Sequence, residues 1–166
     1  SDTFILPASK EKVTVRAIEV IPARVGSYER HVTLTAKEGA LCSDVEQDVL
    51  KTAVFERHHG TGKKGFGFVK GFGIRKGAMA STVAHDAHNL LVIGTNDQDM
   101  SDSSAQEMSR IVEHLEEAWK QIGCKMPSPF MTMALIALAC LPELRLTDRG
   151  LVDCTSFQFV PLEVTE

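Results

Sequence analysis

The 166-residue chain predicts an α+β fold, a mixed β-sheet domain with one long amphipathic helix at about 104–122 packed on it. Three observations carry that prediction. Apolar residues recur with period two through the first half, and the period changes to 3.6 after about residue 104. With 43% hydrophobic and 24% charged residues, the chain has the composition and length to bury one sizeable core. A single domain over residues 1–166 is the simplest organisation, and no internal repeat or low-complexity tract argues otherwise.

Taken in order, "VTVRAIEV" (Val13 to Val20) places Val13, Val15, Ala17 and Glu19 on one face, an imperfectly alternating strand. "HVTLTAKEGALCSD" reads as a strand followed by a turn at Gly39, which can adopt positive φ without steric cost. "DVLKTAVFERHH" is a further strand candidate. "GFVKGFG" continues an alternation that sets Phe66, Phe68, Lys70 and Phe72 against glycine or valine. Met79 to Val83 and Leu90 to Ile93 are two short apolar strands, and a polar cluster sits between them.

In the second half, Ser104-Ala105-Gln106-Glu107 fits a capping box. Met108, Ile111, Val112, Leu115, Trp119 and Ile122 then recur at helical spacing, with charged residues filling the other face, and Gly123 supplies the stop. The run "PSPFMTMALIALACLPELRLTDRGLVD" fits a buried helix or a buried strand. Thr147 to Gly150 reads as a turn, and "FQFVPLEV" as a closing strand whose Pro161 marks a sheet edge.

Several function classes drop out on composition. A formal net charge of -4 and a pI near 5.9 argue against nucleic-acid binding, which needs a clustered basic surface. Cys42, Cys124, Cys140 and Cys154 show no CxxC spacing and read as reduced thiols. The apolar run from Phe130 to Leu141 falls short of the roughly 20 residues of a membrane span. No basic flank leads into an apolar stretch at the start. The expectation is a soluble cytoplasmic protein with no nucleic-acid or membrane partner.

Chemistry concentrates in two places. "GTGKKG" (Gly60 to Gly65) satisfies GxGxxG, yet strand alternation follows it where a dinucleotide fold needs a helix. Its glycines are better read as permitting tight turns or close backbone approach. His58 and His59 stand just before it, as solvated imidazoles or as one side of a polar site.

The second place is "HDAHN". His85 and His88 are three apart, a spacing that suits two ligands of one metal where the backbone turns, with Asp86 as a third ligand or as acceptor from a ligating imidazole. The same residues suit a His–Asp acid–base pair, since a neighbouring carboxylate favours the imidazolium. They also suit a plain structural role tying off the strand junction. Asn89 completes the cluster.

The segment from Glu56 to Met100, with "RHHGTG" and "AHDAHN", closely resembles the C-terminal domain of bacterial adenine deaminases of the amidohydrolase superfamily, and Pro127 to Asp153 resembles that domain's closing segment. The resemblance spans nearly the whole chain. It implies metal-dependent hydrolysis of adenine to hypoxanthine and ammonia in purine salvage, with manganese or iron, in the cytoplasm, by a homo-oligomer. It implies metal ligands in a preceding (β/α) barrel absent here, so the isolated chain is expected to be inactive. On this reading His85, Asp86, His88 and Asn89 are candidate catalytic residues, His58 and His59 lie on a substrate-side loop, and His85 and His88 are weak metal candidates. The resemblance also implies a further stretch between Met100 and Ser101, which are joined directly here. The alternatives are a non-catalytic interaction or oligomerisation module, and a small metal-binding domain.

Overall fold

The computed structural model describes residues 2–22, 24–107, 119–126 and 129–164. Six strands make the larger sheet: β1 (Lys12–Val20), β2 (Ser27–Thr35), β3 (Val49–Phe55), β4 (Lys64–Lys70), β5 (Ala78–Ser81) and β6 (Leu90–Gly94). Their order is β2-β1-β4-β3-β6-β5. β1 and β4 run parallel while the other neighbours are antiparallel, so the sheet is mixed as expected. A smaller antiparallel sheet contains β7 (Leu144–Thr147), β8 (Gly150–Asp153) and β9 (Gln158–Val160). The described helices are α1 (Asp97–Glu107) and the short α2 (Pro129–Ala134).

Both faces of the large sheet are covered, and the strand with the most complete apolar run is β6. In β6, "LLVIG", every residue is buried. One face carries Ile18, Leu50, Val54, Val69 and Leu91 against Trp119, Met133, Leu144, Leu146 and Leu151. On the other face, Val13, Val15, Ala17, Val49 and Phe68 pack with Leu34 and Leu41, and Ala53 and Val92 pack with Phe4 and Met100. Beneath the end of β3, Phe55 stacks edge-on between Phe4 and Phe66, with ring centroids 5.2 and 6.4 Å away.

The glycines of β4 are where the small sheet touches the large one. A Cβ on Gly65 would lie 2.0 Å from the Thr147 carbonyl oxygen, and one on Gly67 would meet the Leu151 and Leu146 methyls. Gly60 and Gly62, at φ of +61° and +71°, shape the preceding turn. The two roles anticipated for this glycine-rich stretch are thus divided among its members.

Two strand ends differ from expectation. β3 stops at Phe55, before the histidine pair. β5 stops at Ser81, whose hydroxyl accepts from the Val83 amide at 3.0 Å and turns the chain, leaving Val83 exposed. In the ambiguous segment the helix is confined to Pro129–Ala134, and the strand begins only at Leu144. β9 is the outer strand of its sheet, with Pro161 just beyond it.

The helix start expected at Ser104 is corrected. α1 begins at Asp97, where Asn96 Oδ1 accepts from the Asp99 amide at 2.8 Å as the N-cap. Ser104 lies inside this helix, its hydroxyl donating back to the Ser101 carbonyl at 2.8 Å, so it caps nothing. Residues 108–118, which carry most of the predicted helix, lie outside the described residues. Its expected end is present: the amides of Gly123 and Cys124 donate to the carbonyls of Lys120 and Trp119, with Gly123 at φ +87°. The described helices are therefore short, and one long amphipathic helix is not what they show.

α1 is fastened to the sheet by a buried cation. Lys51 on β3, 1% exposed, donates to Asp97 Oδ1 at 2.6 Å and to the Phe4 carbonyl at 3.1 Å. A lysine is tolerated at such depth because both partners replace lost water.

Candidate functional site

Strand register brings the two polar loops together. Phe55 at the end of β3 stands opposite both Lys64, which opens β4, and Leu90, which opens β6. Ser81 at the end of β5 pairs with Leu91. The loops 56–63 and 82–89 therefore leave the sheet at the same end, on rigid strands that fix where they start and stop. A depression of about 330 Å³ lined by Val20, Tyr28, Asp48 and Lys70 lies at the opposite end and involves neither loop.

Hydrogen bonds join the loops into one body. Arg57 Nε donates to the His88 carbonyl at 2.6 Å, and the His58 ring donates through Nε2 to the Ala87 carbonyl at 2.7 Å. Asn89, buried at 5% exposure, accepts from the Arg57 amide at 3.4 Å. The second loop is closed by the His88 amide on the Ala84 carbonyl and held to α2 by the His85 amide on the Ala134 carbonyl. The His85 and His88 rings meet edge-on with centroids 5.1 Å apart, while Asp86 and Ala87 are exposed.

The first loop is organised by a residue that histidine spacing did not single out. Glu56 Oε1 accepts from the amides of His58 and His59 at 2.6 and 2.8 Å, and Oε2 accepts from the amide and hydroxyl of Thr61 at 3.0 and 2.9 Å. These donors, Thr61 first, hold its carboxyl down to about 2 from an ordinary 4.5. A depressed carboxyl contributes stability above its unfolded value and loses it as pH falls through the folded one. The turn should therefore persist at pH 4.5 and loosen towards pH 2. The amide resonances of His59 and Thr61 should titrate with a midpoint close to 2; a midpoint near 4.5 would show that Glu56 lacks these partners.

The metal reading fits less well. His85 and His88 come together, but among the described residues no three His, Cys, Asp or Glu side chains form a group able to hold a metal ion. Catalytic centres of this kind ordinarily use three protein ligands.

The sequence profile of the family described as "Adenine deaminase C-terminal domain" matches residues 25–102 and 100–158. The chain belongs to that family. Adenine deaminase of Clostridium botulinum (strain Langeland) is 54% identical over 200 positions, covering 99% of this chain and 33% of the relative. That of Moorella thermoacetica is 42% identical, covering 94% of the chain and 32% of the relative. That of Dehalococcoides mccartyi strain 195 is 39% identical, covering 88% and 32%. The chain spans about a third of the length of the curated relatives it matches. For this adenine deaminase C-terminal domain, the loops at the strand ends place His58, His59, His85, Asp86, His88 and Asn89 on one end of the sheet. Glu56 and Arg57 are additions to that set, and their only sequence signal is a carboxylate followed within five residues by a turn glycine. Among the described residues no helix is long and apolar enough to cross a membrane.

Proposed function

We propose that this chain is the C-terminal part of an adenine deaminase that hydrolyses adenine to hypoxanthine and ammonia together with an N-terminal metal-binding barrel. The observation that carries this reading is 54% identity to an adenine deaminase along nearly the whole chain, at one third of that relative's length. Manganese or iron held by the barrel would supply the activated water. The chain's own contribution is the loop pair 56–63 and 82–89, facing the barrel's mouth and offering His58, His59, His85, Asp86, His88 and Asn89 as polar contacts. Purine salvage in the cytoplasm and assembly as a homo-oligomer complete the proposal.

In full-length protein, His85→Ala with His88→Ala should lower turnover at least about tenfold, the scale of a lost acid–base or positioning contact. A second reading is favoured by the backbone partners of Arg57 and His58: the cluster could be satisfied internally and serve packing only. In that case the double substitution would lower the melting temperature and leave turnover of the folded enzyme unchanged. A functional cluster behaves the opposite way, because site residues are rarely optimised for stability.

The join at Met100-Ser101 belongs to the same proposal. The alignment with the Clostridium enzyme runs over 200 positions against 166 residues here, and the family match passes from one segment to the next at 100–102. We place the relatives' extra residues at this join, which in this chain lies inside the continuous helix α1.

A further inference from the structure

The turn between β3 and β4 treats its two histidines differently. The His58 ring is engaged with the Ala87 carbonyl. The His59 side chain is 81% exposed, and its Nδ1 lies 3.4 Å from Oε1 of Glu56, a carboxylate whose own side chain is only 9% exposed. Four hydrogen bonds from His58, His59 and Thr61 fix that carboxylate in place. A carboxylate 3.4 Å from Nδ1 favours the ring hydrogen on that nitrogen, with Nε2 as the outward atom carrying a lone pair in the neutral ring. Nε2 of His59 is then an acceptor carried on a backbone turn that Glu56 fixes, at the end of the sheet where the loops emerge.

We propose that Glu56 is a positioning residue, and that His59, held by it with Nε2 outward, is the contact this turn makes with a bound aminopurine. Such a ligand presents what the acceptor needs, an exocyclic amino group and a ring N–H. The inference rests on the reading above, in which the two loops face the barrel's mouth.

The test uses full-length protein and adenine. His59→Ala should raise KM about tenfold with little change in kcat, the worth of one hydrogen bond. Glu56→Gln, nearly isosteric, should reproduce part of that rise, and the double variant should be no worse than His59→Ala, as expected when one residue acts through the other. In wild-type protein at high pH, the ring nitrogen resonances of His59 should report the Nδ1–H tautomer, and this signature should fade in Glu56→Gln. Unchanged KM in His59→Ala, or effects that multiply in the double variant, would overturn the assignment. Because His59→Ala removes only an exposed ring, it reads the contact even where the Glu56 variant loses the turn. If His85→Ala with His88→Ala lowers turnover while His59→Ala is silent, this assignment fails and the placement of the loops stands. If both are silent, the placement itself is wrong.

Discussion

Assayed alone with adenine and added manganese or ferrous iron, the 166-residue chain should release hypoxanthine no faster than the background reaction. Metal-assisted deamination needs a hydroxide generated on a cation whose geometry several protein ligands fix, and a group that shuttles protons. The described residues offer two neighbouring imidazoles, His85 and His88, and no three-ligand group. On the proposed reading, adding the separately expressed barrel should bring turnover back, since the loop pair is shaped by its own hydrogen bonds. Robust turnover by the chain alone would move the catalytic centre onto His85, Asp86 and His88.

The largest effect on stability is expected from Gly65→Ala. The added Cβ would sit 2.0 Å from the Thr147 carbonyl oxygen and 3.0 Å from the Gly150 amide nitrogen, and both are backbone atoms at the β7–β8 turn. No rotamer change can relieve that overlap, so the small sheet must lift from the large one and uncover Leu146 and Leu151. The cost should reach about 3 kcal/mol or more, at the upper end of overpacking. For a chain of this size, that corresponds to a fall of roughly 6–12 °C in melting temperature. Gly67→Ala is the control. Its Cβ meets leucine methyls at 3.2 to 3.5 Å, ends of flexible side chains that can yield, and it should cost clearly less. Equal losses in the two variants, followed by calorimetry, would mean that backbone contact at Gly65 does not hold the sheets together.

The strands were legible because burial writes itself into the sequence with period two, or as an unbroken apolar run where both faces are covered. Val13, Val15 and Ala17 show the first pattern, and Leu90 to Ile93 the second. α1 was not legible at its true start. Asp97, Gln98 and Asp99 carry no apolar signal, and with Met100 as its buried apolar residue this stretch shows no helical period. The polar cluster was visible as composition, but its organisation was not. Glu56 acts through backbone amides, Arg57 through the His88 carbonyl, and neither kind of bond leaves a residue pattern on the partner side. Lys51 carries no sequence signal of its role, because its partner Asp97 is 46 positions away and only the folded sheet brings them together.

The loops are joined by donors on one side and backbone carbonyls on the other, and this makes the pair separable into a frame and a variable insert. Arg57 and His58 grip the oxygens of His88 and Ala87, atoms that every residue type supplies. The shape of the second loop is thus encoded in the first, together with Asn89, and the identities at 85–88 are free of that duty. His88, at φ +51°, is the exception, and asparagine or glycine would suit it best. A library randomised at 85–87 with Glu56, Arg57, His58 and Asn89 kept would sample new side chains on an unchanged loop path, a natural starting point for altering what the loop pair contacts.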